Sequence, residues 1–267
     1  MTGTALLEVD KLEVVYQRAI TAIQGVTLAV KEGQIVALLG TNGAGKTTTL
    51  RAISGFLGLD DARVTEGAVR FRGTRLENRP PHEITRRGLS LVPERDKVFP
   101  NLTVTENLQA VVRRGRSGDA RVRDDAAYHF FPKLKELRKR EAGLLSGGER
   151  QMLAIAAGLM CEPDLLMIDE LSLGLAPVAV ESLTQSLVSI RDELAISILL
   201  VEQSAGVALR IADYGYVLEN GRIVLDGDAE RLTGHADIQE FYLGQASGNR
   251  RSYRDVKQYR RSRRWYG

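Results

Sequence analysis

Two periodicities of apolar residues run through this chain. Short apolar or alternating stretches predict β-strands at residues 7–15, 26–30, 34–39, 68–71, 89–92, 165–168, 196–201, 216–219 and 223–225. Helical spacing predicts α-helices at residues 47–57, 178–194 and 204–212. Asn220-Gly221 lies between the last two strands and predicts a tight hairpin turn, because both residues need a positive φ. Strands that alternate with helices indicate an α/β fold with a largely parallel sheet.

The composition and the hydrophobic periodicity of the chain change between residues 94 and 162. This block is rich in Arg, Lys, Glu and Leu, has helical periodicity and carries little strand signal. We interpret it as a helical subdomain that is inserted into the α/β core. The core then consists of residues 1–93 and 163–245, and residues 246–267 form a separate tail.

Composition narrows the class of protein. With 267 residues, of which 43% are hydrophobic and 27% charged, the chain has a globular composition. Its single cysteine, Cys161, excludes a disulfide framework and a cysteine-based zinc site, and it suits a reducing compartment. We interpret Cys161 as a core residue and the three scattered histidines as structural. No apolar run approaches the roughly 18 residues that span a bilayer. We therefore expect a soluble, cytoplasmic protein that reaches a membrane through partners.

Charge is unevenly distributed along the chain. The tail holds seven Arg and one Lys against one Asp, a net +7, so the remainder of this +3 chain carries −4. A mildly acidic body does not favour nucleic-acid binding. The tail is compatible with three roles: a solvated extension, an anchor on anionic lipid, or a contact with RNA or a membrane subunit.

The phosphate-loop pattern G-x-x-x-x-G-K-T occupies residues 40–47, between a predicted strand and a predicted helix. Its glycines let successive backbone N–H groups point at phosphate oxygens, and the helix adds its positive end. Lys46 supplies a charge for the β and γ phosphates, and the hydroxyl of Thr47 is a ligand for Mg²⁺. The residues predicted to bind ATP here are Gly40, Asn42, Gly43, Ala44, Gly45, Lys46, Thr47 and Thr48.

An acidic motif follows the strand predicted at residues 165–168. Asp169 and Glu170 emerge at the carboxyl end of this strand, where α/β sheets bind ligands. We predict that Asp169 binds Mg²⁺, directly or through water. We predict that Glu170 polarises the attacking water as the general base.

A third motif, LSGGERQ at residues 145–151, precedes an apolar helical run. Ser146 and Glu149 have the spacing of a capping box, which marks the start of a helix. Two glycines are poor helix formers, but they leave a helix N-terminus that a phosphate can approach closely.

These three motifs, in this order, resemble the ATP-binding cassette (ABC) ATPases over about residues 5–245. The resemblance implies a P-loop NTPase fold, in which an α/β core has an antiparallel β edge and a helical subdomain. Tyr16, ahead of the loop strand, matches the aromatic residue that stacks on adenine. The resemblance also implies that two subunits sandwich two ATP molecules head to tail. Each ATP then lies between the phosphate loop of one chain and four signature residues of the other, Ser146, Gly147, Gly148 and Glu149.

Several positions depart from the usual family pattern. Glu94 stands where Gln is usual before the helical subdomain, and Gln203 stands where His is usual after the strand at 196–201. Glu94 can still ligate Mg²⁺, and Gln203 can hydrogen-bond a γ-phosphate oxygen although it cannot carry a proton. Leu171 and Ala176 replace a usual Pro and Asp. We expect slow to ordinary ATPase activity that depends on Glu170.

These departures resemble one subclass, the shorter ATPase subunit of importers for branched-chain or other hydrophobic amino acids. The implied partners are a second ABC ATPase subunit, identical or a sister, and two membrane permease subunits, with a substrate-binding protein acting indirectly. The chain itself is then expected to lie peripherally on the inner face of the cell membrane. The stretch 94–107 is expected to meet the permease. Other solutes, such as urea, amides or aromatic acids, fit the same motifs. A non-transport ABC ATPase and a regulatory module that does not hydrolyse ATP are the further alternatives.

Overall fold

The computed structural model describes residues 5–95, 97–111 and 127–241, apart from the side chains of residues 237, 240 and 241. The tail predicted at residues 246–267 therefore lies outside the described residues. Two sheets are formed by the strands β1 (Ala5–Tyr16), β2 (Ile20–Lys31), β3 (Ile35–Leu39), β4 (Ala62–Phe71), β5 (Thr74–Arg75), β6 (Leu89–Val92), β7 (Leu165–Asp169), β8 (Ser197–Glu202), β9 (Tyr214–Glu219) and β10 (Arg222–Asp228).

A six-stranded sheet in the order β10-β9-β3-β8-β7-β6 forms the centre of the molecule. Its strands are parallel except for β10, which pairs antiparallel with β9. Successive residues of β3 enter different cores: Val36 and Leu38 face one, and Ile35, Ala37 and Leu39 face the other. Because both faces of this strand are covered, its sequence is continuously apolar rather than alternating.

A four-stranded antiparallel sheet in the order β2-β1-β4-β5 covers one face of the central sheet. The helix α1 (Lys46–Ser54) contributes Leu50 and Ile53 to the core between the two sheets. The predicted α/β fold with an antiparallel β edge is confirmed. In the described part of the chain, no helix is both long enough and apolar enough to span a bilayer.

The other helices are α2 (Pro81–Arg86), α3 (Val104–Gln109), α4 (Pro132–Glu136), α5 (Gly147–Met160), α6 (Pro177–Leu194), α7 (Ala205–Ala208), α8 (Ala229–Thr233) and α9 (Ala236–Phe241), with 3₁₀ turns at Phe56–Asp60 and Ala142–Leu144. Residues 127–130 are also helical. The described residues of the block 94–162 form helices and turns, with one isolated β-bridge between Thr103 and Glu141. Its division from the core at residues 93 and 162 stays a prediction.

Several predicted boundaries are wrong. The strand predicted at residues 26–30 begins at residue 20. A glycine explains two others. The helix predicted to reach residue 57 ends earlier, because Gly55 has a φ of +82° and a Cβ there would lie 2.3 Å from the carbonyl oxygen of Arg79. The strand predicted from residue 68 starts at residue 62. Gly67 interrupts its apolar pattern at a shift in register with β1, where a Cβ would lie 2.4 Å from the carbonyl oxygen of Asp10.

The helix predicted at residues 204–212 is also shorter than expected. It spans only Ala205–Ala208, and the chain then turns towards β9. Backbone hydrogen bonds from Leu209 to Ala205 and from Ala212 to Ala208 continue the helical direction irregularly. The apolar spacing of this segment therefore reflects the side chains that pack against the core, and it does not indicate a regular helix over the whole segment.

Candidate nucleotide-binding site

The phosphate loop joins β3 to α1 at the carboxyl end of the parallel strands. Gly43 and Gly45 have φ values of +80° and +107°, which residues with a side chain rarely adopt. A Cβ at Gly40 would lie 2.6 Å from the carbonyl oxygen of Leu218, so the neighbouring strand β9 excludes a side chain there. The helix α1 has no side-chain cap. Its first N–H groups can therefore be directed at an anionic ligand.

The hairpin between β9 and β10 packs directly against this loop. Asn220 and Gly221 have φ values of +48° and +74°, which confirms the predicted turn. The N–H of Gly221 donates to the carbonyl of Ala44 at 2.8 Å. A Cβ at Gly221 would lie 2.5 Å from the carbonyl oxygen of Ala22, so this glycine permits the turn to approach both segments.

A cavity of about 570 Å³ opens beside the phosphate loop, a size typical of sites for small molecules. Eight predicted site residues line this cavity: Asn42, Gly43, Gly45, Lys46, Thr47, Thr48, Glu94 and Glu170. Sequence reasoning missed five further lining residues, Ile20, Thr21, Ala22, Gln24 and Asn220. Four of these lie in β2 and carry no motif, and only the Asn220-Gly221 turn gave a local signal.

Lys46 forms a buried ion pair within this cavity. Its ammonium nitrogen lies 3.0 Å from Oε1 of Glu170, and the two side chains are 6% and 9% exposed. The same nitrogen donates to the carbonyl oxygens of Gly40 at 3.0 Å and Thr41 at 3.3 Å. The structure therefore brings together the predicted phosphate-binding cation and the predicted general base.

Asp169 ends β7 and is buried, and its Oδ1 has no hydrogen-bond partner. Burial raises the pKa of Asp169 to about 6; the charges of Glu170 and Glu94 act in the same direction, while a hydrogen bond from Thr47 and the charge of Lys46 lower it. An unpartnered carboxylate oxygen beside a hydroxyl fits a hard divalent cation. Among the residues that the structure describes, no three His, Cys, Asp or Glu side chains form a self-contained metal site, so phosphate oxygens would have to complete the coordination.

Glu170 contacts the chain on either side of its carboxylate. Its own N–H donates to the carbonyl of Val201 at 2.9 Å. The backbone N–H of Gln203 donates to Oε2 of Glu170 at 3.4 Å, so the two predicted catalytic residues are adjacent. Glu94 lines the cavity and pairs with Arg95, whose Nε lies 3.1 Å from Oε1 of Glu94.

The predicted adenine contact is less direct. The hydroxyl of Tyr16 lies 3.2 Å from Oγ1 of Thr48, which ties the end of β1 to the first turn of α1. Tyr16 is absent from the residues that line the cavity, whereas Ile20 lines it and is 60% exposed. The stacking of adenine on Tyr16 stays a prediction.

The signature residues begin α5 with the predicted capping box. Oγ of Ser146 accepts from the N–H of Glu149 at 3.3 Å, and Oε2 of Glu149 accepts from the N–H of Ser146 at 2.8 Å. A Cβ at Gly147 would lie 3.1 Å from Cδ2 of Leu175, so this glycine also permits close packing within the chain. None of the four signature residues lines the cavity of its own phosphate loop. The set consists of Ser146, Gly147, Gly148 and Glu149.

Cys161 is a buried core residue, as the sequence predicted, whereas the structural role predicted for the histidines stays a prediction. Cys161 caps the end of α5 and is buried, and burial raises the pKa of its thiol. His129 lies in contact with Glu193, with 2.8 Å between Nε2 and Oε2. Neither residue belongs to the cavity beside the phosphate loop.

A glycine-rich loop that opens a helix, a lysine within it and a carboxylate pair at the end of another parallel strand of the same sheet define a P-loop nucleotide-binding protein. Comparison with known proteins narrows this class. The family described as "ABC transporter" matches residues 23–172 of the chain. The chain therefore belongs to the ABC transporter family, as one of its ATP-binding ATPases.

Individual relatives cover nearly the whole chain. The high-affinity branched-chain amino acid transport ATP-binding protein BraG of Pseudomonas aeruginosa is 40% identical over 239 residues, which are 90% of this chain and 100% of that protein. A probable branched-chain amino acid transport ATP-binding protein, LivF of Archaeoglobus fulgidus, is 40% identical over 215 residues, 80% of this chain and 89% of that protein. A solved nucleotide-free ATP-binding cassette from an ABC transporter has the same fold, with a TM-score of 0.76 at 23% identity over 92% of this chain and 100% of that one.

Proposed function

We propose that this chain hydrolyses ATP to power an importer of branched-chain or other hydrophobic amino acids. One observation carries the choice of solute: the chain matches BraG, a branched-chain amino acid transport protein by name, at 40% identity over the full length of that relative. The chemistry of the site supports ATP hydrolysis as the energy source of the importer. A buried lysine and two carboxylates, Glu94 and Glu170, line one cavity beside a glycine-rich loop.

Each group in the site has a role in hydrolysis. Lys46 and the N–H groups of the loop bind the β and γ phosphates. Glu170 accepts a proton from water while the water oxygen bonds to the γ phosphorus and the bond from that phosphorus to ADP breaks. Gln203 donates a hydrogen bond to Glu170 through its backbone and to a phosphate oxygen through its amide.

Magnesium fits the same site. Thr47 and Asp169 would hold the ion, with Glu94 contributing directly or through water, because Asp169 offers a buried oxygen without another partner. When bound, Mg²⁺ neutralises the charge that develops on the phosphates. Lys46 shares this task when its ammonium group, which pairs with Glu170 in this structure, contacts the phosphates instead.

The signature residues serve a second ATPase subunit in this proposal. They lie outside the cavity of their own loop, and they begin a helix whose first turn contains two glycines. A helix N-terminus of this kind accepts a phosphate closely. Ser146, Gly147, Gly148 and Glu149 then complete the ATP site of the facing subunit, where adenine stacks on Tyr16.

Two exposed apolar side chains support a permease contact on the helical subdomain. Phe99 is 58% exposed and Leu144 is 63% exposed. The amide of Asn107 fixes the backbone of Phe99 with hydrogen bonds of 2.7 and 3.0 Å. The ammonium of Lys97 donates to Oε1 of Gln151, which joins this segment to the signature helix. A permease bound here, on the inner face of the membrane, would therefore be linked to the ATP sites. The contact of the basic tail with anionic lipid lies outside the described residues and stays a prediction.

The solute is tested by reconstitution. The chain is placed in proteoliposomes with candidate permease and substrate-binding proteins of the same organism, and ATP hydrolysis is followed while candidate solutes are added. Leucine, isoleucine or valine should stimulate hydrolysis several-fold, and Glu170→Gln should abolish the stimulation. Stimulation by urea, amides or aromatic acids alone would replace the solute but keep the ATPase role. Failure to assemble with any permease would favour a non-transport ABC ATPase.

A further inference from the structure

The candidate general base occupies an unfavourable backbone conformation. Glu170 has a φ of +54°, in the left-handed region that residues with a Cβ avoid. Such a conformation persists only where the surrounding structure enforces it. Upstream of the carboxylate, the N–H of Glu170 is held by the carbonyl of Val201 at 2.9 Å.

Downstream, the backbone is held by a buried acid. Glu202 ends β8 and is 0% exposed. Its Oε1 accepts from the backbone N–H of Ser172 at 2.7 Å, and its Oε2 accepts from the hydroxyl of Ser172 at 2.9 Å. Both oxygens of this carboxylate therefore accept from Ser172, two positions after Glu170, and the backbone of Ser204 donates a further hydrogen bond to Glu202.

The two hydrogen bonds between Glu202 and Ser172 belong to a set of contacts that join two adjacent loops. Glu170 and Ser172 follow β7, and Glu202 and Gln203 end or follow β8. Gln203 contacts Glu170 through its backbone N–H, and Glu202 contacts Ser172. We propose that Glu202 is a positioning residue for ATP hydrolysis, which holds Glu170 in its left-handed conformation by fixing Ser172. This inference rests on the proposed role of Glu170 as general base.

Packing alone does not account for a carboxylate at this position. Every other residue of β8 is buried as well, and an apolar side chain of similar length would fill the same space. Burial raises the pKa of Glu202 to about 7, and the charge of Glu170 acts in the same direction, so the fold keeps the acid against an electrostatic cost. The hydrogen bonds from Ser172, with a smaller contribution from the backbone of Ser204, oppose that cost. In exchange for this cost, the carboxylate of Glu202 fixes the geometry of the loop that begins at Glu170.

The proposal is tested with variants that separate packing from hydrogen bonding. Glu202→Gln keeps an acceptor for the N–H of Ser172 and a donor for its hydroxyl, so kcat should stay within about 3-fold of wild type. Glu202→Met keeps the volume but has no strong acceptor, so kcat should fall about 10-fold to 100-fold while KM for ATP changes less than about 2-fold. Ser172→Ala removes one of the two bonds from a loop residue and should lower kcat several-fold without unfolding the chain.

Two controls make the outcome decisive. Asp213 also holds a backbone N–H, that of Ile35 at 2.8 Å, but at the opposite end of β3; Asp213→Ala should lower the melting temperature and leave kcat unchanged. Wild-type kcat in Glu202→Met and Ser172→Ala would overturn the positioning role. An equal loss in Glu202→Gln and Glu202→Met would also overturn it, because the charge rather than the bonds to Ser172 would then matter. Hydrolysis that survives in Glu170→Gln would instead overturn the assignment of the base.

Discussion

The ammonium nitrogen of Lys46 lies 3.0 Å from Oε1 of Glu170, and both side chains are almost fully buried. This ion pair joins the residue proposed to bind phosphate to the residue proposed to accept a proton from water. A phosphate at the loop competes with Glu170 for the same ammonium group. The two residues therefore act as a unit, and a change in one alters the environment of the other.

The free energy of unfolding should reveal this coupling. Lys46→Met leaves Glu170 as a buried charge without its partner, which should destabilise the chain by about 3 kcal/mol. The double variant Lys46→Met with Glu170→Gln should recover at least about 1 kcal/mol, because the unpaired charge is gone. Urea denaturation of the wild type, both single variants and the double variant measures the coupling. Strictly additive changes would show that the ion pair contributes nothing.

Ser146 should have separate structural and functional contributions. Ser146→Ala removes the N-cap of α5 and should lower the free energy of unfolding by about 1 kcal/mol. Ser146→Asp keeps a good N-cap, so its stability should stay near that of wild type. Its added negative charge should nevertheless repel the phosphates of the facing subunit and reduce ATP hydrolysis more than Ser146→Ala does. Full activity in a stable Ser146→Asp protein would contradict the signature role.

Glu202 should make the stability of the chain depend on pH. The pKa of its carboxyl rises from the ordinary 4.5 to about 7 on folding, mainly because it is buried. Between these pH values the folded chain retains a proton that the unfolded chain has released. The free energy of unfolding should therefore fall as the pH rises from about 4.5 to about 7, by about 3 kcal/mol for this group, and then level off.

The matched control for this pH dependence is Glu202→Gln. Asp169 contributes a slope of the same sign at lower pH, because burial raises its pKa from 3.8 to about 6. The difference in stability between wild type and Glu202→Gln cancels that contribution. The variant should gain stability relative to wild type as the pH passes from 5 to 8, which urea titrations at several pH values would show. A constant difference would mean that Glu202 is ionised throughout this range.

Phe99 and Leu144 should matter only in the assembled transporter. Both side chains are exposed, so Phe99→Ser and Leu144→Ser should change the free energy of unfolding by less than about 0.5 kcal/mol. Hydrolysis by the isolated chain should be unchanged, whereas solute-stimulated hydrolysis in proteoliposomes should be lost. Val178 is 82% exposed on α6, so Val178→Ser is the matched control. Full stimulation in the Phe99 and Leu144 variants would place the permease contact elsewhere.

Local patterns were sufficient to predict much of the fold and the core of the site. The phosphate loop, the Asp169-Glu170 pair and the capping box at Ser146 each depend on residues that are close in sequence. The parallel strands also gave a clear signal, because burial on both faces requires a continuous apolar run such as residues 35–39.

Contacts between distant segments were not predictable from those patterns. The turn at Asn220-Gly221 was predicted, but its hydrogen bond to Ala44 depends on the pairing of strands far apart in sequence. The bonds between Glu202 and Ser172 span 30 residues and carry no spacing signal. A buried glutamate at the end of an apolar strand was the single clue, and only the fold shows which N–H it accepts from.

The most direct test of the whole account compares ATP hydrolysis by the wild type and Glu170→Gln, together with size-exclusion chromatography in ATP and Mg²⁺. The wild type should hydrolyse ATP. Glu170→Gln should lose at least about 100-fold in rate. It should also elute as an ATP-dependent dimer, because Lys46 is released from its buried carboxylate partner and the bound ATP is not consumed. Hydrolysis by Glu170→Gln at the wild-type rate would contradict the role of Glu170 and the mechanism built on it.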